Sequence, residues 1–386
     1  MISEKYMKGR ADMTSKIKKR KLGKIIIIFS VLIIIFALIP SLLFRKYNGR
    51  PLTGQYKPLT CAAILTDTTR VEQFEQDGTY REVPVHIFYP DGFENIKDHT
   101  LPLVIFSHGA FGWYQSNMSA YQELASNGYV VVSIEHPYHS LFTHDTSGKL
   151  ITADSKFLHD VMNISNSSNE ETEREEVFNI EREWIDLRTA DMEFALDMFK
   201  SAADEQDFSA WTFTEGDKAQ FETAARLIDA GKIGLMGHSL GGATAVTVGR
   251  RDDVSAVIDI DGTMLGEQTG FADGRYVINE EPYRKPLLVI DNEESHRECI
   301  ELKKTGYVYA NNVILDNAEN AYNTYFTGAG HMNYTDLPLI SPFFAKMLGT
   351  GDIDPEMCID KLNRLILEFF NCHLKGQGEF SVQEYY

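Results

Sequence analysis

The chain has 386 residues, of which 43% are hydrophobic and 24% charged, enough to bury a sizeable core and too apolar for disorder to be the default. A formal net charge of −19 argues against a nucleic-acid partner, because phosphate binding needs clustered Lys and Arg that a strongly acidic field opposes. Cys61, Cys299, Cys358 and Cys372 lie far apart with no CxxC pair, which speaks against a zinc site and leaves no disulfide pairing legible.

Residues 1–24 are basic, with Lys16, Lys18, Lys19, Arg20, Lys21 and Lys24 just ahead of an uncharged run, IIIIFSVLIIIFALIPSLLF, at 25–44. At about 1.5 Å per residue that run spans a hydrocarbon core of roughly 30 Å, so it reads as a transmembrane anchor. The basic side stays cytoplasmic and the remainder of the chain faces outward, as a single-pass protein of the cell membrane. A cleaved signal peptide is the rival reading, but no small-x-small cleavage pattern follows the run.

After a linker at 45–57, Cys61 to Val71 and Arg81 to Tyr89 read as two edge strands separated by Gln76-Asp77-Gly78. Leu101 to Phe106 (LPLVIF) and Tyr129 to Ile134 (YVVVSI) are continuous apolar runs, the pattern of strands buried on both faces of a parallel sheet. Ser119 to Asn127 between them fits a helix ending at Gly128. Further strands are expected at Ile233 to Met236, Val254 to Ile260 and Pro286 to Ile290. Strands alternating with helices predict an α/β fold, a mostly parallel doubly wound sheet over 58–386 with helices on both faces. Asn163 to Glu176 is polar and acidic and reads as a mobile loop leading into a helix. In that helix Val177, Ile180, Trp184, Leu187, Phe194 and Met198 form a packing stripe. The stretch 142–183 is the candidate lid insertion. The amphipathic run Ile359 to Cys372, closed by Lys375-Gly376, predicts a last helix packed on the sheet.

The chemistry centres on Gly237-His238-Ser239-Leu240-Gly241, a G-x-S-x-G pattern directly after an apolar strand and before a small-residue helix start. Such a turn strains the serine backbone and projects its hydroxyl into a cleft beside a helix N-terminus. Serine is a poor nucleophile at neutral pH, so a histidine base and a carboxylate must follow it in the chain. Of His296, His331 and His373, only His331 lies in a glycine-rich loop after a strand, Thr327-Gly328-Ala329-Gly330-His331, which makes it the candidate base. By position alone Asp261 and Asp291, each at a strand end, are even candidates for the acid, while Asp259 sits deeper and reads as a buried hydrogen-bonded group. The oxyanion donors are expected at the N–H of Leu240, after the nucleophile, and of Ala110, in the loop Ser107-His108-Gly109-Ala110-Phe111-Gly112. His136, His139 and His144 have H-x-x-H spacing, but without an HExxH helix they read as lining or surface residues rather than metal ligands.

These blocks resemble the platelet-activating factor acetylhydrolase family, a branch of the α/β-hydrolases near the dienelactone hydrolases. The likeness runs from Gly54 to Gly376 through TGQY, LPLVIFSHG, ASNGYVVVSIEH, GHSLGGAT, VIDIDGTM and GAGHMNYTDLP, in the family's order. It implies Ser239 as nucleophile, Asp261 as acid, His331 as base and Ala110 and Leu240 as oxyanion donors. Ala110-Phe111-Gly112 departs from the family's more usual Leu-Gly pair at that loop, which puts the size of the acyl pocket in question. The resemblance implies a calcium-independent serine esterase or lipase that cleaves short or modified acyl esters of lipids and needs no metal or organic cofactor. An amide hydrolase on the same triad and a catalytically silent surface binding protein are the alternatives.

Overall fold

The computed structural model describes residues 43–164 and 171–386. The basic segment and nearly all of the apolar run at 25–44 lie outside the described residues, and so does part of the acidic stretch after Asn163. Among the described residues no helix is long and apolar enough to cross a membrane.

The strands, in chain order, are β1 (Pro58–Val71), β2 (Tyr80–Pro90), β3 (Leu101–Ser107), β4 (Val130–Ile134), β5 (Phe142–His144), β6 (Leu150–Thr152), β7 (Trp211–Glu215), β8 (Ile228–His238), β9 (Ala256–Ile260), β10 (Gln268–Ala272), β11 (Arg275–Ile278), β12 (Leu287–Asn292) and β13 (Ala321–Phe326). Nine of them form one sheet in the order β13-β12-β9-β8-β3-β4-β2-β1-β7. From β13 to β4 every pair is parallel, and β2, β1 and β7 close the sheet with antiparallel pairs. The expected α/β architecture is therefore observed. Val130–Ile134, Ala256–Ile260 and Leu287–Asn292 are buried throughout, as strands covered on both faces must be.

The principal helices are α1 (Met118–Ser126), α2 (Ser155–Ile164), α3 (Glu171–Glu205), α4 (Lys218–Leu227), α5 (Leu240–Val248), α6 (Glu293–Thr305), α7 (Ala310–Asn317), α8 (Leu337–Ile340), α9 (Pro342–Met347) and α10 (Pro355–Lys375). One face of the sheet packs Met192, Leu196 and Phe199 of α3 against Leu103, Ile105, Val132 and Leu235. The other packs Leu362, Ile366, Phe369 and Phe370 of α10 with Tyr121 and Leu124 of α1 against Val104, Phe106, Val131 and Met236. The last helix begins where Asp354 accepts the Met357 N–H at 2.9 Å and ends at Gly376, whose φ of 64° a residue with a Cβ seldom adopts.

Several expectations are corrected. Edge strand β7 was not anticipated, because its pattern Trp211–Glu215 is mostly exposed. The acidic stretch is helical from Glu171, so its last part is the start of α3 rather than a loop. The predicted stripe of α3 packs on the core through Ile180, Trp184, Phe194 and Met198, but the fully buried face lies to one side of it, at Trp184, Ile185, Arg188, Asp191, Met192 and Ala195, with Leu187 half-buried. The stripe was drawn through apolar residues, but two charged ones occupy the inner face. The segment after Arg45 is also held more firmly than a linker: Arg50 forks onto Asp360 and Glu356 at 2.7 Å each, and Thr53 N–H donates to Glu123 at 3.0 Å. All four cysteines are free.

Candidate active site

Ser239 sits between β8 and α5 with φ 56° and ψ −127°, a conformation that is costly for a residue with a side chain and that is held by its surroundings. Its N–H donates to Ile260 O at 2.8 Å, tying the turn to β9. The flanking glycines make the turn possible: a Cβ on Gly237 would lie 2.1 Å from Gly241 O, and one on Gly241 would lie 2.0 Å from Ser107 O. Helix α5 starts immediately after the serine, so its unpaired N–H groups and positive end face the hydroxyl.

Asp261 follows β9 with φ 56°, its N–H bonded to Ile290 O at 2.8 Å. His331 opens the short turn after β13, and its Nδ1 lies 2.5 Å from Asp261 Oδ2. Asn292 completes the carboxylate's shell, donating its backbone N–H at 2.8 Å to Oδ1 and its side-chain amide at 2.8 Å to Oδ2. Burial pushes the Asp261 carboxyl upward, but the bonds from His331 and Asn292 outweigh it and hold the group below its ordinary value. With Nδ1–H given to Asp261, the Nε2 of His331 is left as an acceptor, and the side chain is 37% exposed.

Asp291 is turned elsewhere, bonded to His296 at 3.1 Å and to the Asn323 amide at 2.8 Å. The structure thus brings Asp261, and not Asp291, against His331. Asp259 is fully buried and accepts the Gly262 N–H at 3.0 Å. It is thus the buried hydrogen-bonded group expected, and burial, with Asp291 and Asp261 nearby, raises its pKa well above the ordinary value. His238, beside the serine, points its Nε2 at His331 O at 3.1 Å, and burial together with His331 pushes it down to about 3, so it stays neutral.

The loop after β3 lies against the nucleophile: a Cβ on Gly109 would be 3.1 Å from Ser239 Cβ. Among the described residues neither the Ala110 nor the Leu240 N–H meets an acceptor, whereas the Phe111 N–H is committed to His139 O at 3.0 Å. Ala110 and Phe111 also border an apolar cluster of Phe157, Trp184, Ile185, Leu240 and Leu265. Phe157 of α2 stacks on His139 at 3.9 Å and meets Trp184 edge-on at 5.1 Å.

Sequence reasoning missed the polar layer beneath that loop. His136 reaches Asp191 through Nδ1 at 3.0 Å and Ser107 through Nε2 at 2.8 Å, and Asp191 also receives Arg81 and Arg70. His136 and His139 are buried and His144 is exposed, so the H-x-x-H pair is part of this layer. The signal that could have found it is Arg188 and Asp191 falling at helical spacing with Trp184 and Ala195.

A family model for platelet-activating factor acetylhydrolase, isoform II, matches residues 80–384. The chain belongs to this family. Relatives named platelet-activating factor acetylhydrolase include one from Gallus gallus, 24% identical over 307 residues, covering 72% of this chain and 63% of the relative. Another, from Bos taurus, is 27% identical over 293 residues, covering 72% and 58%. The match therefore spans about three fifths of these relatives' length. A ferulic acid esterase from Streptomyces cinnamoneus shares the fold, with a TM-score of 0.60 at 19% identity over 85% of this chain and 93% of that one.

Proposed function

We propose that the chain is a serine carboxylic-ester hydrolase that cleaves short or modified acyl esters, with lipid esters as the substrate class. The observation that carries this reading is the His331–Asp261 pair at 2.5 Å, at the same end of the parallel strands as a serine held at φ 56° ahead of a helix. Ser239 attacks the ester carbonyl as His331 Nε2 takes its proton, and Asp261 stabilises the imidazolium that forms. The Ala110 and Leu240 N–H groups receive the oxyanion, the alcohol leaves with the proton returned by His331, and water then releases the acid by the same steps in reverse roles. The names of the relatives, which are acetylhydrolases, support a short acyl group. The described parts of 142–183 contribute to the cover of this site, with Phe157 limiting the apolar space next to Ala110 and Leu240.

In this reading residues 25–44 anchor the enzyme in the cell membrane with the hydrolase domain outside. It is supported by the uncharged run itself; where that run meets the domain, Arg45 N–H bonds Ile340 O at 2.7 Å and Ser341 Oγ bonds Leu43 O at 2.6 Å. The full chain should stay in the membrane pellet through an alkaline carbonate wash, and its release there would remove the anchor from the reading.

The catalytic test is hydrolysis of p-nitrophenyl acetate through decanoate by the detergent-solubilised chain and by Ser239→Ala. Turnover should fall with acyl length and drop by at least roughly 10³-fold in Ser239→Ala, whose folding is unchanged by loss of one hydroxyl. Equal turnover by the two proteins would sink the assignment.

A further inference from the structure

Arg188 is a fully buried guanidinium on the inner face of α3. Its Nη1 donates to His108 O at 2.5 Å and its Nη2 to Gly109 O at 3.3 Å, two successive carbonyls of the loop after β3. Its Nε faces His139 Nδ1 at 3.4 Å. Gly109 O receives two further donors, His108 Nδ1 at 2.7 Å and the Gly112 N–H at 3.1 Å. Asp191, less than one helical turn away, is already bonded by Arg81, Arg70 and His136, so among the described residues no carboxylate bonds Arg188 directly.

A trans peptide is planar, with its C=O and N–H pointing in opposite directions. Holding Gly109 O from two side chains therefore fixes the direction of the Ala110 N–H on the other edge of the same plane. That N–H meets no acceptor among the described residues, and the loop that carries it abuts Ser239. A buried cation without a directly bonded carboxylate is unfavourable for stability, yet it sets a positive charge next to the place where negative charge develops.

We propose that Arg188 is a positioning residue for the oxyanion site: its fork on the His108 and Gly109 carbonyls aims the Ala110 N–H at the ester oxygen, and its charge adds positive potential there. This rests on Ser239 being the nucleophile. Lysine at this position keeps the charge but cannot bridge two carbonyls with a planar fork, and glutamine removes the charge.

The test uses the full chain and the variants Arg188→Gln and Arg188→Lys, with the active sites of each titrated to completion by a fluorophosphonate so that turnover is counted per competent site. A partly folded preparation then still yields the number. On p-nitrophenyl acetate, kcat per site should fall on the order of 10²-fold in Arg188→Gln and less in Arg188→Lys, with KM changed by no more than about twofold. Affinity for a trifluoromethyl ketone, whose adduct places an oxyanion on the same donors, should fall in step with kcat. Unchanged kcat per site in Arg188→Gln, or a kcat loss with trifluoromethyl ketone affinity intact, would overturn the role. Failure of the unsubstituted chain to react with fluorophosphonate would instead reject the Ser239 reading, which is a distinguishable result.

Discussion

The molecule holds two histidine–aspartate pairs that can be compared, one assigned in the proposal to Ser239 and one bonded to Ser107. In the first, His331 meets Asp261 at 2.5 Å and is 37% exposed, at the same C-terminal end of the parallel strands as Ser239. In the second, Ser107 Oγ lies 2.8 Å from His136 Nε2 and His136 Nδ1 lies 3.0 Å from Asp191, with all three residues fully buried. Among the described residues only the buried pair has a serine hydroxyl bonded to its imidazole, and the two pairs differ in access and charge as well. Asp191 is saturated by Arg81 and Arg70, and Ser107 ends a regular strand rather than a strained turn, with no helix start beside it. One array leaves an acceptor nitrogen open to a substrate, and the other closes every donor on a protein partner and supports the loop above it.

The largest expected effect falls on the open array. Asp261→Asn should lower kcat/KM by roughly 10⁴-fold, because an amide stabilises the wrong tautomer of His331 and cannot stabilise its charged form. Asp291→Asn, tested beside it, should leave the esterase within about tenfold, since that carboxyl is bonded to His296 and Asn323. Equal losses in the two variants would mean that the acid has been misplaced. In the closed array the loss should appear in stability. Asp191→Asn strips Arg81 of its bidentate carboxylate, leaving Glu72 at 2.9 Å as its carboxylate partner, and should cost about 1.5–3 kcal/mol in denaturant unfolding. A change below about 1 kcal/mol would mean that the array is not a stability element.

What could be read from the sequence follows the same division. Ser239, the Gly237 and Gly241 that flank it, and the strands around them are encoded locally, since a G-x-S-x-G turn, an apolar run and a glycine-rich histidine loop each occupy a few consecutive residues. The choice between Asp261 and Asp291 was not local: both end parallel strands, and only the way Asn292 clasps Asp261 turns one toward His331. The closed array gathers Arg70, Arg81, Ser107, His136 and Asp191 from four strand-linked regions and one helix, and no short window holds more than a fragment of it. Charged residues on the inner face of α3 broke the apolar periodicity, so the stripe drawn through apolar residues was centred to one side of the buried face that carries Arg188.

The smallest effect distinguishes the arrays by pH. Burial, and next to it the charge of Arg188, pushes His136 down to about 4 and moves His108 and His139 in the same direction, so these imidazoles are neutral in the folded protein. A histidine depressed on folding binds more protons when unfolded throughout the interval between its two pKa values. Its contribution to stability is therefore complete above the ordinary histidine pKa of about 6.5 and declines as pH falls toward 4, by roughly 1.4 kcal/mol per unit for one such group. The buried acids Asp336, raised to about 6 by burial, and Asp259, raised well above its ordinary value by burial, act in the opposite sense over part of that range. The difference between the protein and His136→Gln cancels them, because both proteins keep those carboxyls. Whatever His136→Gln costs at pH 7.5, its unfolding free energy should decline less steeply between pH 6.5 and 4.5 than that of the unsubstituted chain. Parallel pH profiles would show that His136 is not held neutral, and would remove the contrast between the closed array and the open one.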